Sequence, residues 1–223
     1  MTLGLPRVHY RVVDSTNARA RSLAERGAPH GAMVTARAQS AGRGRQGRTW
    51  SAPPGQALLC SVIVRDPPRL LPLAAGIAVA EEVGSHALVK WPNDVLLEGR
   101  KVAGILVEGR PQEGWSVLGI GLNVAVRVDE LPRDVAERAA SMGRSPRELE
   151  PTLERLLGRL ETWLAAPRET LLDRLRDRDA LLGHRVRWYG GSGEAAGIDS
   201  AGRLVVVTDA GRLGLDAGEV HLV

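Results

Sequence analysis

The chain has no phenylalanine, and its five tryptophans and two tyrosines amount to 3% of 223 residues. One cysteine, Cys60, excludes an internal disulfide, and without a Cys/His cluster nothing points to a structural zinc site. Cys60 lies inside an apolar run and reads as a core residue. Long hydrophobic runs are also missing. The longest, Leu70 to Ala80, falls short of the roughly 20 residues that cross a bilayer, and the N-terminus carries no signal-peptide apolar region. These absences argue against a membrane protein and predict a cytoplasmic one. The scarcest polar residues are the most informative. Of 30 basic side chains only Lys90 and Lys101 are lysine, and the asparagines are Asn17, Asn93 and Asn123 alone. Where composition so favours arginine, a retained lysine marks a position that needs a compact point charge instead of a flat fork. That argument is stronger for Lys101, since Lys90 also reads as a surface charge at a strand end.

With 43% hydrophobic and 25% charged residues, the composition is that of a soluble globular protein. The length allows one large domain, or one plus a small one. A net charge of +4 permits nucleic-acid contact, but acids are nearly as numerous as bases, so composition does not select it.

Three rare residues gather in Lys90-Trp91-Pro92-Asn93-Asp94, which runs into Val95 to Leu97, a polar Glu98-Gly99-Arg100-Lys101 turn and Val102 to Val107. This pattern predicts a β-hairpin. With Gly99 and Arg100 in the turn, Asp94 and Lys101 would share a face about 13 Å apart, room for one extended small molecule.

Upstream, Val8 to Val13 reads as a strand and Asp14-Ser15-Thr16-Asn17 as capping residues for a helix over Ala18 to Arg26. The same helix N-terminus is a natural site for an anion or polar ligand. A second strand, Val34 to Gln39, enters the loop from Ser40 to Trp50. There Gly42, Gly44 and Gly47 match G-x-G-x-x-G, but Ser51-Ala52-Pro53-Pro54-Gly55 follows where a dinucleotide fingerprint must open a helix. What remains is a backbone able to approach a ligand closely, carrying Arg43, Arg45 and Arg48 for carboxylate or phosphate. A disordered basic loop or an RNA-binding tract is the other reading of this stretch. Trp50 reads either as a stacking platform or as a core anchor. Ala57 to Val64 and Trp115 to Val124 are strands, and Leu70 to Val83 is a buried helix ended by Gly84. Asn123 closes Gly119-Ile120-Gly121-Leu122, where glycines mark either close backbone approach or a bulge. Glu130 to Arg144 reads as a short helix and loop, and Glu148 to Leu164 and Arg168 to Leu182 as packing helices. Five short strands between Gly-rich turns follow from His184, which suggests a small barrel and a domain boundary near Leu182.

In order and spacing, Ser15-Thr16-Asn17, the loop from Gly42 to Trp50, Lys90 to Asp94, Lys101-Val102-Ala103-Gly104-Ile105-Leu106-Val107-Glu108 and Gly119 to Asn123 resemble the biotin protein ligase family. Gln46 departs slightly, standing where the family often has another basic residue. The resemblance implies an α+β fold: a mixed sheet with flanking helices akin to class II synthetase cores over residues 1–182, then an SH3-like barrel over 183–223. About seven residues precede the first strand, so the resemblance is expected to cover the ligase part and not a DNA-binding domain. The implied reaction joins biotin and ATP into biotinyl-5'-adenylate, then passes biotin to a lysine of a biotin carboxyl carrier protein.

By the same resemblance, biotin would be held by Ser15, Thr16, Asn17, Gln39, Arg43, Arg45, Lys101 and Gly104. ATP and the adenylate would meet Gly42, Gly44, Arg48, Trp50, Asn93, Asp94 and Asn123. Lys101, Arg45 and Asp94 would act on the reacting groups, with Asp94 either near Mg²⁺ and phosphate or helping to deprotonate the incoming lysine. A homodimer is compatible with the family; specific DNA binding and a membrane partner are not expected. Two other readings compete: a lipoate or octanoate ligase sharing the adenylation chemistry, and a nucleic-acid-binding module using the loop arginines and Trp50.

Overall fold

The computed structural model describes residues 3–223. Its first sheet contains Arg7–Tyr10 (β1), Met33–Ala36 (β2), Ala57–Arg65 (β3), Ala87–Lys90 (β4), Asp94–Leu97 (β5), Arg100–Arg110 (β6) and Trp115–Asn123 (β7). These lie in the order β1-β2-β3-β7-β6-β5-β4. β1 runs parallel to β2 and the other neighbours are antiparallel, so the sheet is mixed, as expected. The helices are Thr16–Glu25 (α1), Leu71–Val83 (α2), Arg133–Ala136 (α3), Leu149–Ala165 (α4) and Arg168–Asp177 (α5).

Strand alternation sends successive side chains to opposite faces. From β3, Leu58, Cys60, Val62 and Val64 enter the main core with Ile77 of α2 and Leu153, Leu156 and Leu160 of α4. On the other face, Ile63 of β3 with Trp115 and Val117 of β7 meets Ala20 and Ala24 of α1. Those alanines are four apart on one helical stripe, and their small size lets α1 lie close to the sheet. Burial pushes the Cys60 thiol up to about 12, so it packs as a small hydrophobe and offers no thiolate. Helix α2 is apolar almost all round and is buried accordingly. Its buried charge, Glu82, is held by Arg144, Arg155 and Arg159.

Arg185–Trp188 (β8), Gly191–Ile198 (β9), Leu204–Thr208 (β10), Gly211–Leu215 (β11) and His221–Leu222 (β12) form a second, antiparallel sheet in the order β11-β10-β9-β8-β12. Val186, Ala195, Leu204, Val206 and Val220 of this region join the same core as Leu70, Leu73 and Leu181. The Trp91 indole N–H also donates to the Gly202 carbonyl at 3.0 Å.

Two expectations are corrected. The helix expected over Arg168 to Leu182 stops at Asp177, because the next residues pair with β4: Val89 N donates to Arg178 O and Ala180 N to Val89 O, at 2.7 and 3.0 Å. The hairpin turns on Glu98 and Gly99, with φ of 51° and 75°, so Leu97 faces Arg100 and Asp94 faces Gly104. Two positive φ values match the right-handed strand twist in a two-residue loop, and a bulge at Val102 absorbs the extra residue. The expected spacing of Asp94 and Lys101 therefore fails. Their charged ends meet at 2.7 Å.

Candidate active site

The face of β7 that packs α1 at Trp115 and Val117 continues as Gly119, beneath Asn17 in the first turn of that helix, and then as Gly121 and Asn123 beyond it. Across the ladder Gly119 pairs with Leu106 and Gly121 with Gly104, so a strip nearly free of side chains lies open on the sheet. It floors a cavity of about 570 Å³, within the roughly 300–1,000 Å³ typical of small-molecule sites. Glycine is required here by space. A Cβ on Gly119 would collide with the Asn17 carboxamide, and one on Gly121 with the Trp50 indole.

One wall is the N-terminus of α1. Ser15 is its N-cap, with Oγ accepting from Ala18 N at 3.4 Å. Thr16 donates to Gln39 Oε1 from its backbone N–H at 2.7 Å and from its hydroxyl at 3.1 Å. Ser61 of β3 lies beneath, its Oγ 2.6 Å from Asn17 Oδ1 and 2.8 Å from Thr16 Oγ1. Asn17 Nδ2 donates to Leu106 O at 3.3 Å and Glu108 Oε2 at 3.0 Å. Ser15, Thr16, Asn17 and Ser61 are all buried, and this network satisfies them.

The other wall is charged. Lys101 Nζ, besides meeting Asp94, stands 5.7 Å from the centroid of the Trp50 ring, a cation–π distance. Arg45 Nη1 donates to Asn93 Oδ1 at 3.2 Å, and Asn93 Nδ2 to Ile105 O at 2.9 Å. Burial lowers the Lys90 pKa, the Asp94 carboxylate opposing the shift and Lys101 adding to it. Burial likewise lowers that of Arg45. The cations here are thus partly stripped of water, a setting that favours an anion. Arg43 Nη1 reaches Glu108 Oε1 at 3.4 Å and Arg48 Nη1 reaches Glu219 Oε1 at 2.5 Å, so the three loop arginines rest on three separate stretches of the chain. Trp50 packs near Ala57, Leu59 and Val126, as a core anchor does, and lies over Gly104 and Gly121.

Of the residues singled out in the sequence, Ser15, Thr16, Asn17, Gln39, Arg43, Gly44, Arg45, Arg48, Trp50, Lys90, Asn93, Asp94, Lys101, Gly104 and Asn123 all line the cavity. Gly42 instead faces a hollow behind the loop and forms its neck, accepting from Trp50 N at 3.0 Å. Asn123 also has a scaffold task, donating to Ala140 O at 2.9 Å. Sequence reading missed Ser61, whose signal is a lone hydroxyl within the apolar run of β3. It also missed Glu219, His221 and Leu222, which line the cavity from the last stretch of chain and carry no local signal. Among the described residues no three His, Cys, Asp or Glu side chains gather to hold a metal.

Residues 9–124 match the model of the Biotin/lipoate A/B protein ligase family. A biotin–[acetyl-CoA-carboxylase] ligase of Mycobacterium tuberculosis is 38% identical over 93% of the chain and 86% of its own length. A bifunctional ligase/repressor of Bacillus spizizenii is 34% identical over 66% of the chain, and the matched region is about half (49%) of that relative. Among solved structures, the biotin protein ligase of Aquifex aeolicus in complex with biotin and ATP superposes with a TM-score of 0.80 at 28% identity, covering 97% of this chain and 98% of that one. A glycine-floored cavity between a polar helix N-terminus and a lysine–aspartate pair thus accompanies similarity along nearly the whole length, and the chain belongs to the biotin/lipoate A/B protein ligase family.

Proposed function

We propose that the protein is an ATP-dependent biotin–[acetyl-CoA-carboxylase] ligase acting in the cytoplasm on a biotin carboxyl carrier domain. The observation that carries this reading is the cavity's two-sided chemistry: neutral hydrogen-bonding groups around Ser15 and Thr16 at one wall, and Lys101, Arg45 and Lys90 at the other. A neutral ureido ring joined to a carboxylate suits that order, with Ser15, Thr16, Asn17 and Gln39 toward the ring and Lys101, Arg43, Arg45 and the Gly104 backbone toward the acid. Attack of the biotin carboxylate oxygen on the ATP α-phosphorus forms the mixed anhydride and releases pyrophosphate. The carrier lysine amine then attacks the anhydride carbonyl and releases AMP.

Neither step needs an enzyme nucleophile. It needs alignment and neutralised charge, which Lys101 and Arg45 supply at fixed positions. Trp50 gives adenine a ring to stack on, with Asn123 close by, and Gly42, Gly44 and Arg48 shape the loop around the phosphates. Asp94, with Asn93 beside it, would hold Mg²⁺, a hard cation suited to carboxylate oxygen. That ion would neutralise phosphate charge when bound. The alternative role for Asp94 is acceptance of the proton from the carrier lysine. In this reading residues 1–182 form the catalytic domain and 183–223 a small accessory one, homodimers are compatible with activity, and no specific DNA site is recognised.

The test is biotin-dependent exchange of pyrophosphate into ATP by purified protein with Mg²⁺. Exchange with biotin supports the proposal. Exchange with lipoate or octanoate and not with biotin would assign the other branch of the family.

A further inference from the structure

Glu108 closes the strand motif that begins at Lys101, yet the reaction as described gives it no task. Its carboxylate adds a side-chain link between two parts of the site that backbone bonds join only at the base of the loop, where Ser40 N donates to Val13 O at 2.8 Å and Ala41 N to Asp14 O at 2.9 Å. Oε2 accepts from Asn17 Nδ2 at 3.0 Å, and Oε1 meets Arg43 Nη1 at 3.4 Å. The Asn17 side is rigid, because Asn17 Oδ1 is held by the buried Ser61 hydroxyl at 2.6 Å and its amide also meets Leu106 O. The Arg43 side belongs to a glycine-rich loop with no apolar side chain between Gly42 and Arg48 to hold it by packing. Glu108 also lines the hollow behind that loop together with Leu106 and Gly42.

Taking the ligase reading as its basis, we infer that Glu108 is a positioning residue, which sets the orientation of Asn17 and tethers the Arg43 limb of the loop to the wall at the N-terminus of α1. An acceptor-only carboxylate is the group that can do both. With an anion at that point, Asn17 must turn its N–H₂ toward strand β6 and its oxygen toward Ser61, while the second oxygen remains free for the guanidinium. A carboxamide of the same shape offers one acceptor and one donor, and would oppose either Asn17 or Arg43.

The experiment uses the full chain without substrates: amide hydrogen exchange of residues 42–48 in wild type, Glu108→Gln, Arg43→Gln and the double variant. The expected result is exchange roughly three-fold faster in each single variant, the scale of one half-exposed charge pair, with β3 and β7 unchanged and the double variant no faster than the singles. Wild-type exchange in Glu108→Gln, or additive effects in the double variant, would overturn the inference. Were Glu108→Gln to unfold, Arg43→Gln alone would still decide it, since an unchanged loop there means no tether. A second arm follows release of preformed biotinyl-adenylate, expected to be faster in Glu108→Gln than in wild type. Because the exchange arm contains no biotin, its failure is separate from failure of the ligase reading, which pyrophosphate exchange tests in the wild type.

Discussion

A single ammonium is the clearest chemical commitment in the chain. Lys101 Nζ sits between the Asp94 carboxylate at 2.7 Å and the face of Trp50, and its stem crosses the open space above Gly104. A guanidinium is wider, planar and hydrogen-bonds along two directions, so it cannot enter that gap without moving the indole or leaving Asp94. Lys101→Arg is expected to preserve the fold and to slow adenylate formation by roughly 10²-fold, the effect of losing one preorganised charge contact. Far-ultraviolet circular dichroism with pyrophosphate exchange checks both halves. Wild-type turnover would mean that any cation suffices there.

Two elements govern whether this charge is useful, the loop and the α2–α4 packing behind the sheet. Arg45 bonds Asn93 from a half-buried position while Arg43 and Arg48 hold the loop's limbs, so between Gly42 and Arg48 the loop is braced by polar contacts alone. Arg45→Gly removes the central brace and the cation bonded to Asn93. A loop closed over the adenylate would retain it, so in this variant the adenylate should dissociate faster, and unrelated proteins should acquire biotin on exposed lysines while carrier modification falls; equal release rates in the two proteins would show that the loop does not retain the adenylate. Behind the sheet, burial would raise the Glu82 carboxyl, but hydrogen bonds from Arg144, Arg155 and Arg159 outweigh it and hold the group below its ordinary 4.5. A depressed carboxyl contributes stability that is fully present above its unfolded pKa and is lost as pH falls through the folded one. Acid unfolding should therefore steepen below about pH 4.5 in wild type and flatten in Glu82→Gln, with a loss of about 3 kcal/mol at neutral pH, the scale of breaking a buried pair. Urea titrations at pH 7 and near pH 4 would measure it.

At the scale of the molecule, the last forty or so residues are both core and wall. Their apolar face shares the main core, Trp91 is hydrogen-bonded to Gly202, and Glu219 holds Arg48 at 2.5 Å. Ending the chain at Leu182 should lower the melting temperature by exposing that core, and should impair ATP use and carrier transfer more than biotin binding, because the α1 wall keeps all its partners. Calorimetric biotin affinity beside turnover separates the two effects. Equal loss of both would make the second sheet a general scaffold, and unchanged turnover would make it dispensable.

Most elements of this protein are local in origin, and the sequence alone located them. Alternating apolar strands, the Ser15 cap, the apolar α2 and the Gly-punctuated tail each encode their form within a few residues. Scarcity also worked locally, since both lysines and all three asparagines line one cavity. Tertiary structure decided what depends on contacts between distant segments. α5 ends early because Arg178 to Ala180 finds β4 to pair with, a competition invisible in helical periodicity. The hairpin register followed strand twist and a bulge, which closed the supposed gap between Asp94 and Lys101 into an ion pair. Ser61, Glu108 and Glu219 gain their places only when segments separated by tens to well over a hundred residues come together. Spacing along a chain predicts faces, but which faces meet is set by how the sheets and helices bury their apolar sides together.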